Sequence, residues 1–517
     1  MSHPRCYVEL CTHLRDAATL GSVGSLLGWD QETYMPPAAA PFRAEQAAAI
    51  ATLVHERQTS PRLGELIAEC EADESLMAEG SETAANIREI RRDYDLATKL
   101  PGDLVAELAR TGSQAQEAWK SARESNDFPA FAPWLEKMIA LTRRKADCCG
   151  TPEGGERYDA LLNEYEPGAR AADIAEVFRP LRERLREFVR DVRENGEEPS
   201  DAPLKAKIKT GKQHKIGLAV LEAIGFDLKA GRLDVTTHPF CSGFAPGDTR
   251  LTTRYREQHF TDALYSTMHE AGHGLYEQGL PKTLPDESGV GLFGTPLAES
   301  ISLGIHESQS RMWENFVGRS KSFWKWALPR IAEHTDALAD CKAKDMFRAV
   351  NRVEPSLIRV EADEGTYNLH VMVRFEIERA LLRGDLEVKD VPGVWNEMYR
   401  EDLGVDVPDD KRGCLQDVHW SFGLVGYFPT YTLGNLYAAQ FWEQIVQDIP
   451  DLEAGFAEGQ FKPLLDWLRE KIHRHGRRYR AAELCERITG KPLSPDPLMR
   501  HLERRVRPAY GLEPVGV

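Results

Sequence analysis

The sequence has neither a long apolar run nor an excess of positive charge. No uninterrupted apolar stretch approaches the ~18 residues that a membrane-spanning helix needs, so we expect no membrane partner. Acidic residues outnumber basic ones by 82 to 65, which gives a net charge of −17. Because phosphates attract basic surfaces, this charge argues against a nucleic-acid partner.

Cysteine is scarce for a protein that disulfides would stabilise. The nine cysteines are scattered and odd in number, and the closest pair, Cys148 and Cys149, is adjacent. This spacing matches neither a disulfide framework nor a CxxC metal site. The start, Met1-Ser-His-Pro-Arg-Cys, lacks the basic region and apolar run of a secretory signal. We therefore expect reduced thiols in a cytoplasmic protein.

Apolar residues recur at helical spacing through most of the chain. Such patterns cover residues 42–54 and 81–146, the second interrupted at Pro101 and Gly102. Residues 233–254 are instead rich in Val and Thr and carry a turn signal at Pro246-Gly247-Asp248, which predicts a small hairpin or edge strand. The expected fold class is mainly α, with a small sheet next to the strongest motif of the sequence.

That motif is HExxH, at His269-Glu270-Ala271-Gly272-His273. Residues four apart lie on one face of a helix, so both imidazoles can reach one metal ion. Glu270 can polarise a water beside the metal and relay its proton. The alternative interpretation is a helix with two satisfied, half-buried histidines.

The flanking sequence favours a helix. Asp262 is expected to cap it, and Leu264, Met268, Ala271 and Leu275 form an apolar stripe of helical period. Such a stripe on its own indicates ordinary core packing.

An open catalytic zinc site needs a third protein ligand. Glu307 lies 34 residues after His273, in a segment with helical spacing. The stretch 281–296 between them is rich in Pro and Gly and long enough to reverse the chain. On spacing alone, Glu277 and Glu299 are rival ligands.

Several other motifs follow one another along the chain. They are His238-Pro239-Phe240, Asp248-Thr249-Arg250-Leu251-Thr252, His306-Glu307-Ser308-Gln309, Ile358-Arg359-Val360-Glu361-Ala362-Asp363, Gly413-Cys414-Leu415-Gln416-Asp417-Val418-His419-Trp420 and Gly426-Tyr427-Phe428-Pro429-Thr430-Tyr431. Together with HExxH, this series resembles the carboxypeptidase Taq family of metallopeptidases, also called thermostable carboxypeptidases. The resemblance runs over nearly the whole chain.

The resemblance implies an almost entirely helical, two-lobed body with a deep groove and a small sheet along it. Residues 1–517 would form one metallocarboxypeptidase domain, usually assembled as a homodimer. His269, His273 and Glu307 would hold the metal, zinc or also cobalt, and Glu270 would be the general base.

A carboxypeptidase must recognise a free α-carboxylate, and the bidentate fork of Arg suits this task. Arg359 is the first candidate and Arg250 the second. The bland alternative for either is a structural ion pair. Asp248 is expected to orient Arg250 or a histidine.

Four further side chains of the family-like motifs can donate hydrogen bonds to a peptide or to a developing oxyanion. They are His238, His419, Tyr427 and Tyr431. Core packing is the competing interpretation for each of them.

The predicted function is hydrolysis of the C-terminal peptide bond, which releases single amino acids from peptides with a free C-terminus. One alternative is a metallo-endopeptidase or oligopeptidase with the same zinc machinery. The other is a catalytically inactive peptide-binding protein of the same fold. The motifs at 358–363 and 413–420 argue against the first, and the presence of Glu270 argues against the second.

Overall fold

The computed structural model describes residues 3–515, which are mainly helical with one small sheet, so the predicted fold class is confirmed. The α-helices, numbered α1 to α20 in chain order, are Arg5–Thr33, Ala40–Gln58, Pro61–Glu71, Glu82–Lys99, Gly102–Ser125, Phe128–Cys149, Arg157–Leu162, Ala171–Asn195, Thr210–Ile224, Phe260–Gly279, Leu303–Arg311, Lys321–Ala332, Ala343–Val350, Tyr367–Arg383, Val391–Leu403, Pro429–Asp448, Leu452–Ala457, Lys462–Lys471, Ala481–Thr489 and Asp496–Ala509. Short 3₁₀ helices cover Pro37–Ala39, Ala202–Lys205, Pro296–Ala298, Arg359–Glu361, Val388–Asp390, His419–Phe422 and His473–Arg478, and a π-helix covers Met312–Gly318. Within the described residues, no helix is both long and apolar enough to cross a membrane.

The described chain divides into two compact units. Unit 1 contains residues 3–98, 200–350 and 441–491, and unit 2 contains residues 99–199, 351–440 and 492–515. Each unit is assembled from three separate stretches of chain. Neither unit is therefore a continuous sequence domain that could be cut out at a linker.

The helical patterns of the sequence correspond to real helices. Residues 42–54 lie within α2, and residues 81–146 form α4, α5 and most of α6. The predicted interruption separates α4 from α5, where Pro101 precedes the first residue of α5. Between α5 and α6, Asn126 adopts a left-handed conformation and Asp127 caps the backbone N–H of Ala130.

The segment rich in Val and Thr forms a three-stranded sheet of unit 1. Its strands are β1, Gly231–Val235, β2, Cys241–Ala245, and β3, Asp248–Thr253. They lie in the order β1-β3-β2, with β1 parallel and β2 antiparallel to β3. The β2–β3 turn contains Gly247 at φ +78°, which confirms the predicted hairpin, and β3 packs against α10.

Helix α10 carries the HExxH motif, and its apolar stripe faces the core as predicted. Leu264, Met268, Ala271 and Leu275 are all buried. The predicted cap is wrong, because α10 begins at Phe260 and Asp262 already lies in its first turn. A carboxylate in the first turn still stabilises the helix by its interaction with the positive end of the helix dipole.

Helices α10 and α11 cross at Gly272, inside the HExxH motif. A Cβ atom at this position would lie 2.5 Å from Ser310 Cα and would also overlap the carbonyl group of Gln309. Since these neighbours are backbone atoms, the overlap could not be relieved by turning a side chain. Glycine therefore allows α11 to approach close enough to bring Glu307 beside the histidines.

We expect Gly272→Ala to destabilise the protein by about 1–3 kcal/mol, because overpacking forces backbone shifts. The same shift should weaken metal binding. Urea unfolding and metal titration measure the two effects. Gly211→Ala in α9 is the control, since nothing lies within 4 Å of its added Cβ; it should be neutral or slightly stabilising. A Gly272→Ala protein as stable as the wild type would contradict the crossing argument.

Candidate active site

Two imidazoles and one carboxylate of unit 1 converge on a common point. Helix α10 supplies His269 and His273, and α11 supplies Glu307. Glu307 Oε2 lies 3.7 Å from Nε2 of His269 and 3.5 Å from Nε2 of His273. Within residues 3–515 these side chains form a group whose ligand atoms all lie within 4.8 Å of one another. The structure thus brings the three predicted ligands together.

The spacing of these atoms fits one bound metal ion. Ligand atoms bonded at about 2.0–2.1 Å to a tetrahedral zinc ion lie about 3.3–3.4 Å apart. The distances of 3.5 and 3.7 Å are close to that value. Two imidazole nitrogens and one carboxylate oxygen also match the donor preference of zinc and cobalt.

The other ring nitrogens are held by hydrogen bonds. His269 Nδ1 donates to Glu314 Oε2 at 2.9 Å, and His273 Nδ1 donates to the backbone carbonyl of His306 at 3.1 Å. These bonds leave Nε2 of each ring unprotonated when the histidine is neutral, and they fix the ring orientation. The His306 ring also stacks on His273, with centroids 4.3 Å apart.

The rival carboxylates have other partners. Glu277 accepts hydrogen bonds from His306 and Lys282, and Glu299 accepts one from Arg477 at 3.0 Å. Neither carboxylate belongs to the group that could hold a metal.

The buried charges of the site shift each other's titration. Burial lowers the pKa of His273 to about 3. For His269, burial is outweighed by Glu307 and Glu314, which raise its pKa to about 8. Burial alone would raise the pKa of Glu307, but Arg311 and His269 hold it well below its usual range. Because ligands bind metals in their deprotonated form, a metal ion must displace any proton from His269.

Glu270 differs from its neighbours. Glu270 is 7% exposed and is not part of the three-residue ligand group. Burial raises the pKa of Glu270 to about 7, and the Glu307 carboxylate adds to the rise while His269 opposes it. A carboxylate with a pKa near neutral can both accept and donate a proton at physiological pH.

Comparison with known proteins gives the family. Residues 9–506 match the family model described as Carboxypeptidase Taq (M32) metallopeptidase. The chain belongs to this family. It is a hydrolase of the metallocarboxypeptidase type, and the family implies a bound metal and peptide substrates.

Relatives match along nearly their entire length. The chain is 45% identical to "Thermostable carboxypeptidase 1" of Thermus thermophilus, covering 99% of this chain and 100% of that protein. It is 36% identical to "Carboxypeptidase 1" of Bacillus subtilis, covering 94% and 95%. The crystal structure of an M32 carboxypeptidase from Deinococcus radiodurans superposes with a TM-score of 0.93 at 40% identity, covering 98% of this chain and 100% of that one.

In the present chain, Arg250 and Asp248 form a bidentate ion pair on β3, with Nε–Oδ1 and Nη2–Oδ2 distances of 2.8 and 2.9 Å. The Arg250 guanidinium also lies over the Trp29 ring, 4.3 Å from its centroid. Asp248 is therefore placed to orient Arg250, as the sequence suggested. His238, in the β1–β2 connection, is exposed.

Arg359 lies in unit 2 and is only 4% exposed. Its Nε and Nη2 donate to Asp417 Oδ1 at 3.2 and 2.9 Å, and its Nη1 donates to the Tyr367 hydroxyl at 3.0 Å. One N–H remains on each Nη atom after these bonds. Arg374 pairs with the other oxygen of Asp417 at 2.6 Å. Burial would raise the pKa of Asp417, but Arg374 and Arg359 hold it well below its usual range.

The remaining predicted residues of unit 2 form an aromatic cluster with Phe428. His419 lies 4.5 Å from Phe428 and 5.5 Å from Tyr427, and Tyr427 lies 5.4 Å from Tyr431, all measured between ring centroids. The Arg359 guanidinium is 5.0 Å from the Tyr431 centroid. Burial lowers the pKa of His419 to about 4, so this ring is neutral at pH 7.

Sequence reasoning missed the residues that support the ligands. Arg311 follows Glu307 by four residues, a spacing that places both on one helix face and signals an ion pair. Asp417 lies in the motif at residues 413–420, but it is distant in sequence from Arg359 and Arg374, so spacing did not indicate these ion pairs. Glu314 lies in the π-helix Met312–Gly318. A π-helix has a different periodicity from an α-helix, so regular helical spacing does not predict it.

Proposed function

We propose that this enzyme removes single C-terminal amino acids by means of zinc held by His269, His273 and Glu307, with Glu270 as the general base. The observation that carries the proposal is the convergence of two oriented imidazoles and one carboxylate, next in sequence to the buried carboxylate of Glu270. Cobalt suits the same donors. A bound metal of this kind supplies Lewis-acid chemistry, lowering the pKa of a water and stabilising negative charge on the scissile carbonyl oxygen.

Glu270 handles the proton in this proposal. Its carboxylate accepts a proton from the attacking water as the new C–O bond forms at the scissile carbonyl. It then donates that proton to the departing amine as the C–N bond breaks. Its burial supports this role because exclusion of water limits loss of the proton before it reaches the amine.

We propose that an arginine pairs with the free α-carboxylate of the substrate. Arg359 remains the first candidate, since Asp417 and Tyr367 fix its guanidinium and these bonds use three of its five N–H groups. Arg250 is the second candidate, held by Asp248 over Trp29. A guanidinium held in one orientation by a buried ion pair loses little entropy when it binds a carboxylate.

The other candidate substrate contacts are hydrogen-bond donors. We propose that His238, His419, Tyr427 and Tyr431 contact the peptide or the oxyanion. In support, His238 is exposed and the rings of the other three lie close together in unit 2. We further propose one catalytic domain per chain and a homodimer, on the family resemblance. A cytoplasmic location is proposed on the free, scattered cysteines.

Glu270→Gln tests the base. The amide has nearly the same shape but cannot accept the proton, so kcat should fall by about 10²–10⁴-fold while zinc content persists. Steady-state kinetics and elemental analysis measure both quantities. Glu299→Gln is the control, since it also removes a carboxylate charge from unit 1 but pairs with Arg477 outside the ligand group. A zinc-replete Glu270→Gln enzyme with near wild-type kcat would refute the assignment.

A peptide and its C-terminal amide test the direction of cleavage, since they differ only in the group that the arginine should bind. Losing this charge-assisted pair should cost on the order of 2–5 kcal/mol, so kcat/KM should be far lower for the amide. Mass spectrometry of the products gives both rates. Arg359→Ala should lose most activity on the free acid and discriminate much less between the two peptides.

Two outcomes would change the proposal in different ways. If the wild type cleaves acid and amide equally well, C-terminal recognition is refuted. If Arg359→Ala keeps full discrimination and Arg250→Ala loses it, recognition holds and Arg250 is the residue responsible.

A further inference from the structure

Arg311 connects Glu307, the proposed carboxylate ligand, to Glu314, the carboxylate that orients His269. Arg311, the last residue of α11, donates from Nε to Glu307 Oε1 at 2.7 Å and from Nη1 to Glu314 Oε2 at 3.3 Å. The side chains of these three residues are 8–13% exposed. Such shielded ion pairs are stronger and less screened by salt than pairs on the surface.

The contact with Glu307 separates the roles of its two oxygens. Oε1 accepts the Arg311 hydrogen bond, whereas Oε2 is the atom that faces Nε2 of both histidines. Ser310 Oγ lies 3.2 Å from Oε2, but its shorter hydrogen bond, 2.6 Å, goes to the backbone carbonyl of Glu307. The side chain thus presents one oxygen to the metal-binding position and keeps the other on a guanidinium.

The contact with Glu314 acts on the second ligand. Glu314 Oε2 accepts both the Nδ1–H of His269, at 2.9 Å, and the Arg311 Nη1–H. Its other oxygen is 3.3 Å from Nη2 of Arg319. One planar guanidinium therefore holds two carboxylates, which the single ammonium of a lysine could not do with the same geometry.

We propose that Arg311 is a positioning residue that restricts Glu307 to one donor oxygen, and thereby sets the coordination number and the metal preference of the site. This inference rests on the proposed ligand set. The Arg311 guanidinium also offsets the negative charge of Glu307. Hard cations such as Mn²⁺, Mg²⁺ and Ca²⁺ depend on that charge. Imidazole-seeking zinc and cobalt are less affected, so the arrangement favours them.

Removing Arg311 should therefore release the second oxygen. In Arg311→Met, both oxygens of Glu307 become available, which raises the coordination number of a bound metal. The visible absorption of Co²⁺ reports this number directly, because its bands weaken as coordination rises from four to five or six. The Zn²⁺-to-Mn²⁺ affinity ratio should fall by about tenfold.

The test uses full-length protein stripped with a chelator and then titrated with Co²⁺, Zn²⁺ or Mn²⁺ alone. We expect weaker Co²⁺ bands and the lower affinity ratio for Arg311→Met. Arg319→Met is the matched control, because Arg319 pairs with Glu314, whereas Arg311 pairs with both Glu307 and Glu314. It should keep the wild-type Co²⁺ spectrum.

The results separate the failure of this inference from that of the proposed function. A wild-type protein that binds no Co²⁺, or binds it without His269 and Glu307, refutes the proposed ligands. A wild-type spectrum in Arg311→Met, or an equal change in Arg319→Met, overturns the role of Arg311. If Arg311→Met does not fold, Arg311→Ala replaces it; a side chain without any N–H is expected to give the same shift, and an unchanged spectrum overturns the proposal.

Discussion

The close crossing of α10 and α11 is the constraint on which the site depends. Two histidines one turn apart on α10 cannot form a metal site alone, because the third donor must come from another element. That donor, Glu307, reaches them only because Gly272 lets the backbone of α11 lie against the HExxH helix. A residue placed between the two histidines for a steric reason is therefore as important to the site as the ligands.

The side chains beside the crossing are charged and largely buried, and arginines pair with the carboxylates. In unit 1, Arg311 and Arg319 offset Glu307 and Glu314. In unit 2, Arg359 and Arg374 enclose Asp417 in the same manner. An isolated charge would be costly at these positions, but an ion pair with hydrogen bonds fixes orientation while limiting that cost. Both groups are thus held in place by contacts within the protein.

Much of this could be predicted from local sequence, because helices, the hairpin and HExxH each depend on residues close together in the chain. The choice of Glu307 over Glu277 and Glu299 needed the family resemblance, since spacing allowed all three. The supporting contacts could not be predicted, because the partners of Asp417 are distant in sequence. Glu314 depends on a π-helix that no local pattern announced. The expected cap at Asp262 failed because α10 begins one residue after His259.

The metal site can be tested with an anomalous-difference map from crystals of the zinc-loaded protein, recorded at the zinc absorption edge. We predict one strong peak about 2.0–2.2 Å from Nε2 of His269, from Nε2 of His273 and from a carboxylate oxygen of Glu307. Glu270 should lie outside bonding distance of that peak. A zinc ion held by other residues, or held without Glu307, would contradict the central claim that the crossing of α10 and α11 builds the metal site.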